Sequence, residues 1–173
     1  MASNRLATFA PNEVDVIITQ SSSGLNHVVS GFAEDKLVGV ERAAETFSKY
    51  VGADNTTTRI YKADKSLSIT LSLQQTSNSN DIMMQLYKND VATRNGLFSI
   101  LVKDNSGRSY YFAEEAYIAV VPSTSYANSM QVFEWVIHAH DSDVYIGGNA
   151  PFSAEDQSAM EALGATIAPQ WQA

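Results

Sequence analysis

The alternation of apolar and polar residues along several short segments constrains the fold of this chain most strongly. The clearest case is Leu67–Leu73 (LSITLSL), which is apolar at every second residue, the period of a strand with one buried face. Ser109–Val121 and Met130–His138 are longer strands. The other predicted strands are Glu13–Thr19, His27–Phe32, Leu37–Arg42, Arg59–Lys62, Leu97–Val102 and Val144–Ile146. So many strands separated by turns predict a mainly β fold, an antiparallel sandwich or barrel.

A single substantial helix interrupts these strands. Ile82, Met83, Leu86 and Tyr87 lie at the spacing of one helical face, which predicts a flanking helix over residues 78–92. The polar run before it ends the preceding strand and begins the helix, because hydroxyl oxygens accept from the free N–H groups of a first turn and a carboxylate there favours the helix dipole. The predicted N-cap residues are Ser77, Ser79 and Asp81. A short C-terminal helix is predicted between Ser153 and Gly164.

Length and local pattern divide the chain into one domain with three irregular segments. At 173 residues, a single domain over residues 1–173 is the simplest expectation. Residues 1–12 are polar and predict an N-terminal arm that needs a partner to become ordered. Residues 43–58 have no clear period, which is typical of a functional or disordered loop. Residues 150–173 form a C-terminal extension.

The charge is distributed unevenly. All eleven Lys and Arg lie within residues 1–108, where eleven Asp and Glu balance them, so the whole net charge of −8 falls within residues 109–173. Such a segment repels polyanions, since nucleic-acid binding depends mainly on cationic contacts to phosphate. The sequence therefore disfavours tight nucleic-acid binding. A solvated acidic surface that only maintains solubility explains the same pattern.

Enzyme and metal signatures are weak. The chain has no GxxxxGK[ST], GxGxxG, HExxH or GxSxG motif, and Ser21–Ser23 has no recognisable base nearby in sequence. Glu114 and Glu115 are adjacent on a predicted strand and are expected on opposite faces, a poor geometry for acid–base work. His138 and His140 could bind zinc with a following Asp, but two strand-end histidines beside an acidic turn are the simpler reading. We expect no enzyme activity, no metal and no cofactor.

Compartment signals are also few. Cysteine is absent, which removes disulfides and thiolate chemistry and fits assembly in a cytoplasm. No apolar run is long enough to cross a membrane, and the first residues do not resemble a signal peptide.

An ordered series of strings is similar to the bacteriophage tail tube proteins. It covers roughly residues 28–149, and its members are Val40–Arg42, Val51–Asp54, Thr58–Arg59, Ile69–Leu71, Gln75–Asp81, Phe98–Asp104, Ala116–Ile118, Trp135–Ile137 and Ile146–Asn149. No single string is specific; their order, together with the strand number and the lone helix, carries the resemblance. Relatives often have Gly after the VGAD string, where this chain has Asn55; both residues tolerate a left-handed backbone.

The resemblance implies a structural subunit of the virion tail. Such subunits form hexameric rings by joining strands edge to edge, and the rings stack into a channel that delivers genomic DNA without binding it specifically. The implied partners are further copies of the chain, a tape-measure protein, a tail terminator, a baseplate hub and, in a contractile tail, a tail sheath. The resemblance also implies assembly in the host bacterial cytoplasm and no membrane.

Two sets of residues acquire roles from this resemblance. Residues 43–58 become a long loop reaching the adjacent ring, with Phe47, Tyr50 and Asp54 as contact candidates; a loose surface loop is the alternative. Glu41 and Glu134 lie in mid-strand among apolar residues, so their carboxylates must point away from the core, and the lumen is one direction open to them. The alternatives are that they face solvent outside the ring or pair with Arg42 or Arg59 of a neighbouring copy.

Two other functional readings remain open. The first is a tube protein of a phage-derived secretion or bacteriocin particle. The second is an unrelated β-sandwich binding module or enzyme.

Overall fold

The computed structural model describes residues 6–173 and contains ten strands and two α-helices. The strands are β1 (Val14–Gln20), β2 (Leu25–Val28), β3 (Val38–Arg42), β4 (Phe47–Val51), β5 (Thr57–Tyr61), β6 (Leu67–Gln74), β7 (Phe98–Asp104), β8 (Tyr110–Val120), β9 (Val132–His140) and β10 (Asp143–Tyr145). The helices are α1 (Ser79–Thr93) and α2 (Ala154–Ala162). The part of the predicted N-terminal arm over residues 1–5 lies outside the described residues.

Eight strands form one antiparallel sheet. Its order is β2-β1-β7-β8-β9-β6-β3, and β10 pairs with the first residues of β8. Strand β6 alternates as predicted because one of its faces is buried: Leu67, Ile69, Leu71 and Leu73 are all within the core, while Ser68 and Thr70 are not. The predicted mainly β, antiparallel fold is confirmed.

The two edges of this sheet meet at one end. The N–H of Val29 donates to Val16 beside β2, whereas Phe32 bridges to Leu73 on the β3 side of β6. In a flat sheet these two positions would lie about 29 Å apart, at about 4.8 Å for each strand spacing. The three residue-to-residue steps from Val29 to Phe32 span at most about 11 Å. The sheet must therefore curl into a barrel-like sandwich.

The hydrophobic core fills this curled sheet, and α1 covers it. Met83 and Leu86 of α1 are buried with side chains from β1, β6, β7, β8 and β9. The buried aromatic Trp135 also connects β9 to the helix, since its Nε1 donates to Oδ1 of Asn80 over 2.9 Å. Among residues 6–173, neither helix has the length and apolar character needed to cross a bilayer.

Candidate assembly and channel surfaces

Strands β4 and β5 form a hairpin that stands apart from the main sheet. They pair in register from Phe47–Tyr61 to Val51–Thr57 and make a separate two-stranded sheet. None of its side chains belongs to the hydrophobic core. Phe47 is 48% exposed and Tyr50 is 61% exposed. A lone two-stranded hairpin is marginally stable in water. The exposed rings of this hairpin are apolar surface that a partner could cover.

Contacts within the hairpin hold it together locally. The Phe47 and Tyr61 rings are 5.6 Å apart, and the Arg59 guanidinium lies 4.4 Å from the centre of the Phe47 ring. At the tip, Oδ1 of Asp54 accepts from the N–H of Thr56, and hydrogen bonds from the Thr56 side chain and backbone hold the pKa of Asp54 below its usual value. Asn55 follows in the left-handed conformation at φ 66° that its residue type tolerates.

The hairpin corrects the sequence analysis. Residues 43–58 were expected to be a loop, but most of them form β4, its turn and the start of β5. The segment has no alternating period because neither of its faces is buried against a core. The contact candidates Phe47 and Tyr50 lie on β4, and Asp54 lies in the turn.

Glu41 and Glu134 share the outer face of the main sheet, defined as the face turned away from the hydrophobic core. Glu41 pairs with Ser68, which pairs with His138, two strands away on β9. Glu134 is four residues from His138 on the same strand and so points to the same side. Both carboxylates are exposed, and a regular sheet would place them roughly 17 Å apart. They share a surface but do not form a pair.

A β-bulge adds two further carboxylates to that region. Phe98 pairs with Ala116 and Ile100 pairs with Ala113. Ser99 of β7 therefore lies opposite two residues of β8, Glu114 and Glu115. Both are exposed, and the expectation that they would point to opposite faces is wrong, because the bulge breaks the strand period.

These carboxylates line a concave surface with His140, Asp141 and Asp143. His138 and His140 do lie on one face, but the His138 ring packs edge-on against Tyr117 at 5.7 Å. Within residues 6–173, no group of three or more His, Cys, Asp or Glu side chains is placed to hold a metal ion.

The start of α1 differs from the predicted cap. The N-cap residue is Asn78, and its side chain makes no capping hydrogen bond. Ser77 Oγ accepts from the N–H of Ser79, and Asp81 lies in the first turn. Ser79 is fully buried, with its Oγ bonded to His27 Nε2 at 2.9 Å and to the N–H of Ser30 at 3.1 Å. The predicted cap set is therefore wrong in part: Ser79 fastens the helix to the segment after β2 instead of capping it.

The C-terminal extension is docked on the turn between β7 and β8. The Arg108 guanidinium lies between the rings of Phe152 and Trp171, at 4.2 Å and 4.7 Å from their centres. Its Nη1 donates to the carbonyl of Ala150 over 2.8 Å. Within the extension, the Ser153 side chain caps α2 by accepting from the N–H of Asp156, so the predicted short helix is confirmed. Sequence reasoning did not single out Arg108, although it is the last cation of the chain.

Comparisons with known proteins give three findings. A family model described as bacteriophage PhiTE tail tube protein matches residues 6–147. The structural protein ORF10 of Pseudomonas phage KPP10 is 43% identical over 169 residues, covering 96% of this chain and 98% of that protein, so the similarity includes most of the extension. The cryo-EM structure of the anti-feeding prophage cap, a tube terminating cap, is similar in fold at a TM-score of 0.53 and 11% identity, covering 84% of this chain and 95% of that one.

Proposed function

This chain belongs to the bacteriophage PhiTE tail tube protein family, and from that premise we propose that it builds a tail tube of stacked hexameric rings through which genomic DNA is delivered. The β4–β5 hairpin is the observation that carries the proposal. It exposes Phe47, Tyr50 and Tyr61, and it has no core of its own to pack against. In a stack of rings the next subunit covers these side chains, which turns a marginal hairpin into a stable contact.

Open strand edges support ring formation. Among the described residues, β2 and β3 each pair with one neighbour only, so each has an unused row of backbone N–H and C=O groups. Such edges promote pairing with another chain. Joining them around a ring satisfies those groups and leaves no free edge. The partner at these edges is a second copy of the chain.

The outer face supplies the chemistry of a channel wall. Glu41 and Glu134, with Glu115 on the same face, present carboxylates that repel the phosphates of DNA. A channel wall of this kind allows DNA to pass because it offers few cationic contacts to phosphate. We assign Glu41 and Glu134 to the lumen on this basis.

The other partners follow from the same role. A tube subunit meets a tape-measure protein within the lumen, a tail terminator at one end and a baseplate hub at the other, and in a contractile tail it meets a sheath outside. We place the mature protein in the virion tail and its assembly in the host cytoplasm.

The oligomeric state tests the proposal directly. Purified protein is examined by size-exclusion chromatography and negative-stain electron microscopy over a series of concentrations and ionic strengths. Six-membered rings or stacked tubes with a central channel are expected. A species that stays monomeric under every condition would contradict the proposal.

A second candidate is a tube protein of a phage-derived secretion or bacteriocin particle. The similarity in fold to the anti-feeding prophage tube cap favours keeping it. The two functions differ in cargo, so particles containing this chain are purified and treated with nuclease. DNA that survives inside intact particles and is ejected from them supports a phage tail; intact tubes on particles without any DNA support the second candidate.

A further inference from the structure

A recess of about 290 Å³ lies on the outer face of the main sheet, where β6, β9 and β8 run side by side. Small side chains, those of Ser66 and Ser68, leave the space above β6 open. The opposite wall is aromatic, since the exposed rings of Tyr117 and His138 meet edge-on at 5.7 Å, and His140 lines the recess at the end of β9. A space of this size and lining suits one large apolar or aromatic side chain.

Carboxylates lie beyond both sides of this recess. The strand register places four outward-facing residues in one row across β3, β6, β9 and β8: Glu41, Ser68, His138 and Tyr117. In the next outward-facing row, Glu115 of β8 lies directly opposite His140 of β9. Three strand spacings and two residue steps place Glu41 and Glu115 about 16 Å apart in a regular sheet. Both are exposed, so an occupant of the recess can reach both.

Cations also lie near the recess, and they act unequally on its two sides. Lys65 is already paired with Asp141, with the charged atoms 3.7 Å apart. Lys36 folds across the outer face of β3, two residues before Glu41, and offsets part of the charge of that carboxylate. We therefore expect Glu115 to attract a cation more strongly than Glu41 does.

The combination of an aromatic recess and flanking carboxylates favours a basic peptide over a nucleic acid. The phosphates of DNA would meet carboxylates on both sides of the recess. In a peptide, one apolar side chain can enter the recess while a Lys or Arg on each side meets a carboxylate. An extended chain advances about 3.3 Å per residue, so cations about four residues apart, with their long side chains, can reach both carboxylates.

We propose that this recess binds a basic peptide segment of another protein, with one large apolar side chain against Tyr117 and His138 and a cation on each of Glu41 and Glu115. The proposal rests on the proposed function in one respect. That function turns the outer face toward the lumen, so the segment belongs to a protein inside the channel. The carboxylates then have two effects, because they repel DNA and hold a basic protein.

Histidine NMR signals test the recess directly, because it lies within one chain. The chain has three histidines; His138 and His140 line the recess, whereas His27 lies on β2 and is an internal control. Spectra are recorded in solution for unassembled protein and by magic-angle spinning for tubes. The probe is the peptide Lys-Ala-Trp-Ala-Lys, blocked at both termini and added up to about 5 mM at low ionic strength, since one side chain and two surface ion pairs bind weakly.

The signals of His138 and His140 should move and saturate as the probe is added, while the signal of His27 stays in place. If neither recess signal moves over this range, the proposal is overturned. Two matched peptides separate the contributions: Glu-Ala-Trp-Ala-Glu has no cation and Lys-Ala-Ser-Ala-Lys has no ring, so both should leave the signals unmoved. A short DNA duplex that moves them as far as the basic peptide does would also overturn the proposal.

Variants of the chain locate the binding. Ser68→Phe fills the recess and should abolish the shifts, whereas Thr70→Phe, at the next outward-facing residue of β6, does not line the recess and should leave them unchanged. Glu115→Gln keeps the shape and should raise the Kd about two- to fivefold, the range of a surface ion pair. Asp81→Asn, at an exposed position of α1, should leave the Kd unchanged. Equal losses in Ser68→Phe and Thr70→Phe would place the binding elsewhere.

Electron microscopy of the same preparations separates the two proposals. Tubes whose recess signals do not move overturn the peptide site and leave the tail tube function standing. A chain that never assembles but binds the probe overturns the tail tube and keeps the peptide site.

Discussion

At Gly31 the backbone adopts φ +75°, in the left-handed region, where the chain passes from one edge of the sheet to the other. A Cβ at this position would lie 2.6 Å from the Cβ of Ser77, so a side chain meets both strain and a steric clash. Gly31→Ala should lower the free energy of unfolding by about 2–4 kcal/mol. Chemical denaturation of the two proteins measures the difference.

Gly24→Ala is the matched control for this substitution. Gly24 has nearly the same conformation, φ +70°, but a Cβ there would meet nothing within 4 Å. Gly24→Ala should lower the free energy of unfolding only by the cost of the left-handed conformation, about 1–2 kcal/mol. Equal losses at the two glycines would contradict the role of close packing against Ser77.

His27 makes stability depend on pH. Burial lowers the pKa of His27 from its usual 6.5. The unfolded chain therefore takes up a proton at a higher pH than the folded chain, so stability is full above pH 6.5 and falls as the pH drops toward the folded pKa. The thermal unfolding midpoint should decrease between about pH 7.5 and 5.5. His27→Gln, which cannot titrate, should reduce this dependence, and an unchanged slope would assign the effect to other groups.

Asn80 joins three elements at the start of α1. Its Nδ2 donates to the carbonyls of Gln74 and Ser77, and its Oδ1 accepts from the buried indole of Trp135. Asn80→Ala leaves that N–H without an acceptor and should cost about 2–3 kcal/mol of unfolding free energy. The control Asn89→Ala removes an exposed bond to Gln85 on the same helix and should change stability by less than about 0.5 kcal/mol. Similar losses in both variants would argue against a structural role for Asn80.

The elements that could be located from the sequence are those with one buried face, because their apolar residues then recur at a regular spacing. Strand β6 and helix α1 were predicted closely because each presents one face to the core. Of the β4–β5 hairpin, only the strand at Arg59–Lys62 was predicted; β4 and its pairing were missed because the hairpin has no core face. The bulge at Glu114 and Glu115 was missed because register shifts are set by the partner strand. Ser79 was taken for a cap because its tertiary partner, His27, is 52 residues away in sequence.

The hairpin is expected to affect assembly more than folding. A double variant, Phe47→Ser with Tyr50→Ser, removes aromatic side chains that lie outside the core, so the stability of the barrel should change by less than about 1 kcal/mol. Stacked tubes should be lost, as judged by negative-stain microscopy. Val91→Ser, at an exposed apolar residue of α1, is the control and should still form tubes. If the double variant forms normal tubes, the hairpin is not part of the contact between rings.

At the scale of the whole molecule, charge on the outer face is expected to govern DNA passage. Glu134→Lys places a cation where the proposed lumen has a carboxylate, which should leave tubes intact and slow DNA ejection. Asp81→Lys makes the same change in net charge at an exposed position of α1, which covers the core side of the sheet, and should leave ejection unaffected. Phage carrying each variant are compared in a time-resolved ejection assay. Equal rates in the two variants would place Glu134 outside the lumen.

The overall barrel could be predicted from the sequence only as a class. Alternating segments indicated a mainly antiparallel sheet, but the meeting of its two edges near Phe32 depends on pairings between distant residues. The docking of the C-terminal extension could not be predicted either, because it depends on a contact between Arg108 and Trp171, which are far apart in sequence.

The strand order has a consequence for synthesis on the ribosome. Strand β1 pairs with β7, and β6 finds its long partner only in β9, which ends at His140. Such non-local pairings slow folding, because loop closure must precede the contacts that stabilise it. The first half of the nascent chain therefore has no complete folding unit, and the barrel can close only once β9 has left the exit tunnel.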